Sequence, residues 1–185
     1  LSFMIAIGLS LIAYSSSTDL LKTWENSVPE DSHNNFALNI TKTDIDPINR
    51  FFEEKDLEKA NFFPITNAKI VKIVEASVID EVPVDRNFNM TWTYTLPSQN
   101  TILEGEWFSK GSANGISLSD EISKRYQLSL GDRVKVTFLD REVETYIQSI
   151  RGVDWESFSP NFFVIGSPDL FENDSSTYIT SFYIP

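Results

Sequence analysis

Few side chains in this sequence are of a type and spacing that could do covalent chemistry. His33 is the single histidine of the 185 residues, and there is no cysteine. Thiol nucleophiles, disulfides and thiolate metal sites are therefore excluded, and a hydrolytic triad has one imidazole to draw on. His33 sits in the polar run Asp31-Ser32-His33-Asn34-Asn35, where a solvated loop histidine is expected. Carboxylates occur in pairs: Asp44 with Asp46, Glu53 with Glu54, Glu104 with Glu106, and Asp154 with Glu156. Acid–base work needs two such groups facing one cleft with separated proton affinities, which spacing alone does not establish. Asp44 and Asp46 read as capping residues of a helix, and Glu53-Glu54 as its exposed face. Gly111 and Gly115 lack the following Gly-Lys-Ser/Thr of a phosphate loop, and no G-x-G-x-x-G, G-x-S-x-G or EF-hand spacing is present. No catalytic residue, cofactor site or metal site is expected.

The densest unusual stretch is 151–164, RGVDWESFSPNFFV. It sets Trp155, Phe158 and Phe162 beside Asp154 and Asn161, around a stiffening Pro160. These five residues are the candidate surface for a partner or a greasy ligand if they are exposed. If buried, the segment is a corner re-entering the core.

The elements needed to position these residues follow from periodicity. Residues 34–40 alternate Phe36, Leu38 and Ile40, as a strand does. Residues 43–55 form a helix with Pro47 in its first turn and Ile48, Phe51 and Phe52 on one face. Strands are expected at 68–78 and within 82–95. A polar loop from 98 to 115 carries a short strand near Ile102. From Ile116 on, Leu118, Ile122 and Tyr126 recur every four residues, giving a short helix with Ser117 and Ser119 as available caps. The Gly131-Asp132 turn then leads to a hairpin of alternating Val134, Val136, Phe138 and Val143, Thr145, Ile147, reversing near Asp140-Arg141. Extended runs at 161–165 and 177–184 complete the chain. No internal repeat is visible.

The start of the chain is different in kind. Residues 1–14, LSFMIAIGLSLIAY, carry no charge, and the run is too short to span a bilayer alone, which takes about 20 residues. A secretory signal would need a basic region before it, and a core helix a polar stripe. The expectation is the outer end of a transmembrane helix whose beginning lies outside the sequence, continued as a stalk through 18–26 and stopped by Pro29. Domain boundaries are accordingly expected as 1–27, membrane end and stalk, and 28–185, an extracytoplasmic domain whose far end is cut short. With 15 basic against 27 acidic residues the net charge is −12. Nucleic acid is thereby disfavoured as a partner.

Two stretches carry a family resemblance. ISLSDEISKRYQLSLGDRVKVTFLDREVETYIQSI resembles the periplasmic core domain of MacB/FtsX-type ABC transporter permeases, where a helix, a Gly-Asp turn and a hairpin follow in that order. RGVDWESFSPNFFV followed by TYITSFYIP is similar to the YbbP-like branch of those permeases, and the likeness covers nearly the whole chain. The resemblance implies a mixed α+β, two-lobed periplasmic core-type domain of strand–helix units and hairpins, held by membrane helices in the bacterial inner membrane. It implies a non-enzymatic part of the permease, relaying ATP-driven motion to lipophilic or envelope-lipid cargo, with hydrolysis on a separate cytoplasmic ATPase subunit. A partner in the envelope is a further implication. Two alternatives remain open from the residues: capture of an apolar molecule between lobes near Trp92, Trp107 and Trp155, and an envelope hydrolase using the carboxylates.

Overall fold

The computed structural model describes residues 2–27, 33–72, 82–111, 115–139, 141–155, 157, 159–172 and 176–184. Among them are four helices and nine strands, a mixed α+β chain as the sequence leads one to expect. Two compact units divide at His33, the second running His33–Ile184.

The first unit holds α1, Ser2–Ser27, 26 residues and so about 39 Å of helix. Its stretch Met4–Lys22 is long and apolar enough to cross a membrane, by length and composition. That stretch outruns the apolar run 1–14, because the helix does not break at the serines. Thr18 Oγ1 donates back to the carbonyls of Tyr14 (3.1 Å) and Ser15 (2.9 Å), so the hydroxyl finds its partners inside the helix. Met4, Leu9, Leu11, Ile12 and Tyr14 are exposed.

The second unit is built on a closed ring of strands. In chain order they are β1 (Asn35–Ile40), β2 (Phe63–Lys72), β3 (Val82–Trp92), β4 (Asn100–Gly105), β5 (Gly115–Ser119), β6 (Arg133–Phe138), β7 (Arg141–Val153), β8 (Val164–Gly166) and β9 (Thr177–Phe182). β2 pairs with β3, β3 with β8, β8 with β5, β5 with β7, β7 with β6, and β6 again with β2. Six strands thus close a barrel without an edge, and β4 lies outside against β7. Alternate residues fill the interior: Ala68 and Ile70, Phe88 and Met90, Ile116 and Leu118, Val134, Val136 and Phe138. Phe171 enters from the short helix α4 (Pro168–Phe171).

A smaller part adjoins the barrel. β1 pairs with β9, and β9 pairs with the first residues of β2, Phe63 to Ile65. α2 (Lys42–Glu54) covers this part through Phe52, whose ring lies 4.9 Å from that of Phe182. A second apolar cluster forms around Phe108, Phe162 and Ile165, with Phe63, Trp107 and Ile179 against it.

The local chemistry differs from expectation in two places. The α2 N-cap is Thr41, and Asp44 stands three residues on, accepting from the Thr41 backbone N–H (3.0 Å) and hydroxyl in a capping box. That hydroxyl bond, with the backbone bond behind it, holds the Asp44 carboxyl below its usual range; Asp46 is inside the helix. Residues 115–119, expected as loop and helix start, form a strand with every residue buried. Its Ile116-Ser117-Leu118-Ser119 run does alternate, but Leu118 also falls on the fourfold spacing with Ile122 and Tyr126, so the helix reading extends back over it. α3 (Asp120–Tyr126) then begins at Ser119, whose Oγ accepts from Ile122 N–H, and ends with Gln127 in the left-handed region. Part of the expected strand beyond Lys72, and Asp140 of the hairpin turn, lie outside the described residues.

Gly166 is where barrel closure is tightest. A Cβ there would meet Phe171 at 2.3 Å and Met90 Cε at 2.4 Å, both in the interior. Gly166→Ala is expected to cost about 1–3 kcal/mol by overpacking. Gly131→Ala meets nothing within 4 Å and suffers only from its φ of +82°, a cost of about 1–2 kcal/mol. Equilibrium urea unfolding measures both; a Gly166 variant as stable as the parent would contradict the close-packed interior.

Candidate functional site

The aromatic stretch after β7 is organised by one buried cation. Arg151 is completely buried near the end of β7. Its Nη1 donates to Asn100 Oδ1 of β4 (2.5 Å) and its Nη2 to the carbonyl of Phe162 (2.6 Å). Nε has no hydrogen-bond partner, and no carboxylate pairs with the guanidinium among the described residues. Desolvation pushes Arg151 down to about 9, which leaves it a cation at neutral pH. Neutral oxygens, fixed by the fork of the guanidinium, take the place of a counter-ion.

From Arg151 the bonding spreads through the loop. Asn100 Nδ2 reaches Asn161 Oδ1 (3.3 Å), Asn161 Nδ2 donates to the Asp154 carbonyl (2.9 Å), and Ser157 Oγ donates to the same carbonyl (2.8 Å). Asp154, Ser157 and Asn161 are thus tied to one another, and this decides where the described candidate residues lie. Phe162 is 3% exposed and belongs to the second apolar cluster, its ring 5.9 Å from Phe63. Trp155 is 42% exposed, resting on half-buried Phe163 with ring centroids 4.5 Å apart. Asp154 is exposed beside it, Asn161 is half-buried as the loop's brace, and Phe158 lies outside the described residues. The arrangement therefore separates the stretch into a buried anchor and an exposed aromatic tip. Arg151 is the residue that sequence reasoning passed over. A lone arginine inside the otherwise uncharged strand run YIQSIRGV was the available sign.

The other sequence candidates are dispersed. Glu104 and Glu106 are exposed, Glu53 and Glu54 likewise, with Glu53 3.3 Å from Lys59. Trp92 is buried in the barrel, while Trp107 is half-buried and donates from Nε1 to the Tyr94 carbonyl (2.8 Å). Tyr94 OH in turn donates to Asp169, a bond that pushes the phenol up to about 12. Neither cavity among the described residues is lined by any of the three tryptophans. His33, expected as a solvated loop residue, is half-buried with Nδ1 2.5 Å from Ser181 Oγ on β9. Next to it the Asn34 side chain makes two bonds to Ile184: Nδ2 donates to the carbonyl (2.7 Å) and Oδ1 accepts from the N–H (2.9 Å). These bonds extend the β1–β9 pairing past its last backbone rung, so both ends of the second unit are held side by side.

No protein-family profile matches the chain. Over nearly its whole length it is nonetheless related to an ABC transporter permease, as its helix–hairpin and aromatic stretches suggested. That relative is the uncharacterized ABC transporter permease YbbP of Escherichia coli (strain K12), 31% identical over 184 residues. The match takes in 98% of this chain and 22% of YbbP, so the chain spans about a fifth of the curated relative's length.

The division within the loop is testable by stability. Phe162→Ala is expected to cost about 3–5 kcal/mol, as for other buried aromatics. Trp155→Ala, which gives up one aromatic contact and partial burial, should cost about 1 kcal/mol. Denaturant titration of the two variants checks the order; a reversed order would put Trp155 in the core.

Proposed function

We propose that residues 33–184 are an extracytoplasmic domain of an ABC transporter permease subunit, on the periplasmic side of the bacterial inner membrane. α1 is then the membrane helix that leads into the domain, its last turns forming a stalk. In this reading the domain relays conformational change, driven by ATP hydrolysis on a separate cytoplasmic ATPase subunit, to lipophilic or envelope-lipid cargo or to a partner outside. The chain itself is not an enzyme and needs no cofactor.

The observation that carries the proposal is the doubled end of the domain. β1 and β9 pair from Asn35 with Phe182 onward, and Asn34 ties Ile184 beyond them. A displacement applied at either end acts on both strands together, and β9 passes it by pairing to β2, a strand of the closed barrel. A relay needs such a stiff route into a body with discrete arrangements. Trp155 and Asp154, exposed on a braced loop, suit the partner contact, with Asn161 holding the loop and Phe162 rooting it. Capture of an apolar molecule is supported less well, since Trp92 and Trp107 are taken up in the packing.

The chain has no cysteine, so Lys124→Cys on the exposed face of α3 adds the one labelling site within it, read against the unsubstituted permease as background. Labelling by a membrane-impermeant maleimide is expected in cells with an opened outer membrane and an intact inner one. Labelling only after lysis would reverse the assigned side. In the permease assembled with its ATPase, Asn34→Ala should loosen the coupling of ATP turnover to transport by about threefold. The associated stability loss should be only about 1 kcal/mol; unchanged coupling would remove the doubled end as the relay.

A further inference from the structure

A cleft of about 500 Å³ opens between the β1–β9 end and the loops of the barrel. That volume lies within the range of small-molecule sites. Its wall is chemically distinctive. Nine of the fourteen lining residues are polar: five hydroxyl side chains, the amides of Asn61 and Gln99, the His33 imidazole and the Glu58 carboxylate. The apolar share includes Phe62 and Phe63, both half-buried. No lysine or arginine lines it, and Glu58 makes no ion pair among the described residues.

Each candidate ligand class can be weighed against this wall. A phosphate or carboxylate would face Glu58 with no cation to compensate it. Ser98 already donates to Gln99, Thr93 to the Thr95 carbonyl, and Ser181 pairs with His33, but an apolar molecule would strip water from Glu58, Asn61, Thr95 and Ser159, at about 1–3 kcal/mol for each group left unpaired. An organic cation would satisfy Glu58 and leave the same polar groups unserved. A neutral ligand rich in hydroxyls meets the hydroxyls, amides and carboxylate in turn, and its C–H faces can lie on Phe62 and Phe63. The His33–Ser181 pair adds a group that donates or accepts according to the ring's tautomer.

We propose that this cleft binds a neutral saccharide of a few rings, with Glu58, Asn61 and Gln99 as its polar contacts and Phe62 and Phe63 beneath its ring faces. The site stands independently of the transport reading, since it rests on the cleft's own chemistry.

The test is a titration of the full chain, held in a neutral detergent, with N,N′-diacetylchitobiose and with maltose, followed by calorimetry and backbone amide resonances. At least one disaccharide is expected to saturate, with shifts confined to the cleft. Glu58→Gln should weaken that binding about tenfold, the value of one charge-assisted hydrogen bond. Thr95→Trp, which fills the cleft from an exposed position, should abolish it while urea unfolding stays near that of the parent. Gln99→Ala, expected to weaken binding about fivefold, serves if the tryptophan variant does not fold. Failure of both disaccharides to saturate would overturn the proposal, as would undiminished binding to the cleft variants. Saturation by choline in place of the sugars would also overturn it, in favour of organic cations.

Discussion

Both edges of β2 are occupied, and most of the second unit depends on that double pairing. Phe63 to Ile65 pair with β9, whereas from Thr66 onward the strand pairs with β3 and, from Ala68, with β6. One strand therefore closes the barrel and also carries the smaller β1–β9 part. Closure satisfies the backbone donors and acceptors that an open sheet would present to water or to another chain. It also forces alternate side chains into a confined interior, where Ala68 and Ile70 leave room for Phe88, Phe138 and Phe171. Were β2 to slip by one residue, its polar Asn67 and Lys69 would turn inward and both partnerships would fail at once.

Arg151 is the largest fully buried polar side chain among the described residues, and it sits on the face of β7 opposite the barrel interior. Burying a guanidinium is expensive, by several kcal/mol even after relaxation. The fold offsets part of that cost with two short bonds to neutral oxygens, and among the described residues no carboxylate pairs with it. A neutral acceptor holds the cation in one direction without competing for other charges. Here the directions are β4, through Asn100, and the aromatic loop, through Phe162. The return for the burial is positional: three segments distant in sequence meet at one side chain, and Phe162 is drawn into the packing while Trp155 stays outside.

The doubled end, the cleft and the aromatic loop are neighbours in this unit. His33 and Ser181 belong both to the β1–β9 end and to the cleft wall, and Ser159 and Pro160 of the aromatic loop form another part of that wall. A ligand seated there would touch the strands through which a relay would act and the loop that presents Trp155. Binding and motion could then bias one another, as linkage requires of any ligand that prefers one arrangement.

Much of this was legible in local pattern. Alternation located β1, β6 and the first half of β7, fourfold spacing located α3, and the uncharged start announced a helix of membrane-spanning character. Each is a consequence of near-neighbour chemistry, periods of 2 or 3.6 residues imposed by the backbone itself. β5 escaped because its short Ile116-Ser117-Leu118-Ser119 alternation runs straight into the fourfold spacing of α3, which claimed Leu118 for a helix, and Thr41 escaped because a cap is chosen by backbone geometry as well as by residue type. Fold class and permease kinship were therefore present in the linear order of residues 116–184. Barrel closure, the placing of Arg151 against Asn100 and Phe162, the His33–Ser181 contact and the Asn34–Ile184 bonds join residues 11 to 150 positions apart. Such contacts depend on which strands become neighbours, and no local period encodes that; only the tertiary structure decided which aromatic was core and which was surface.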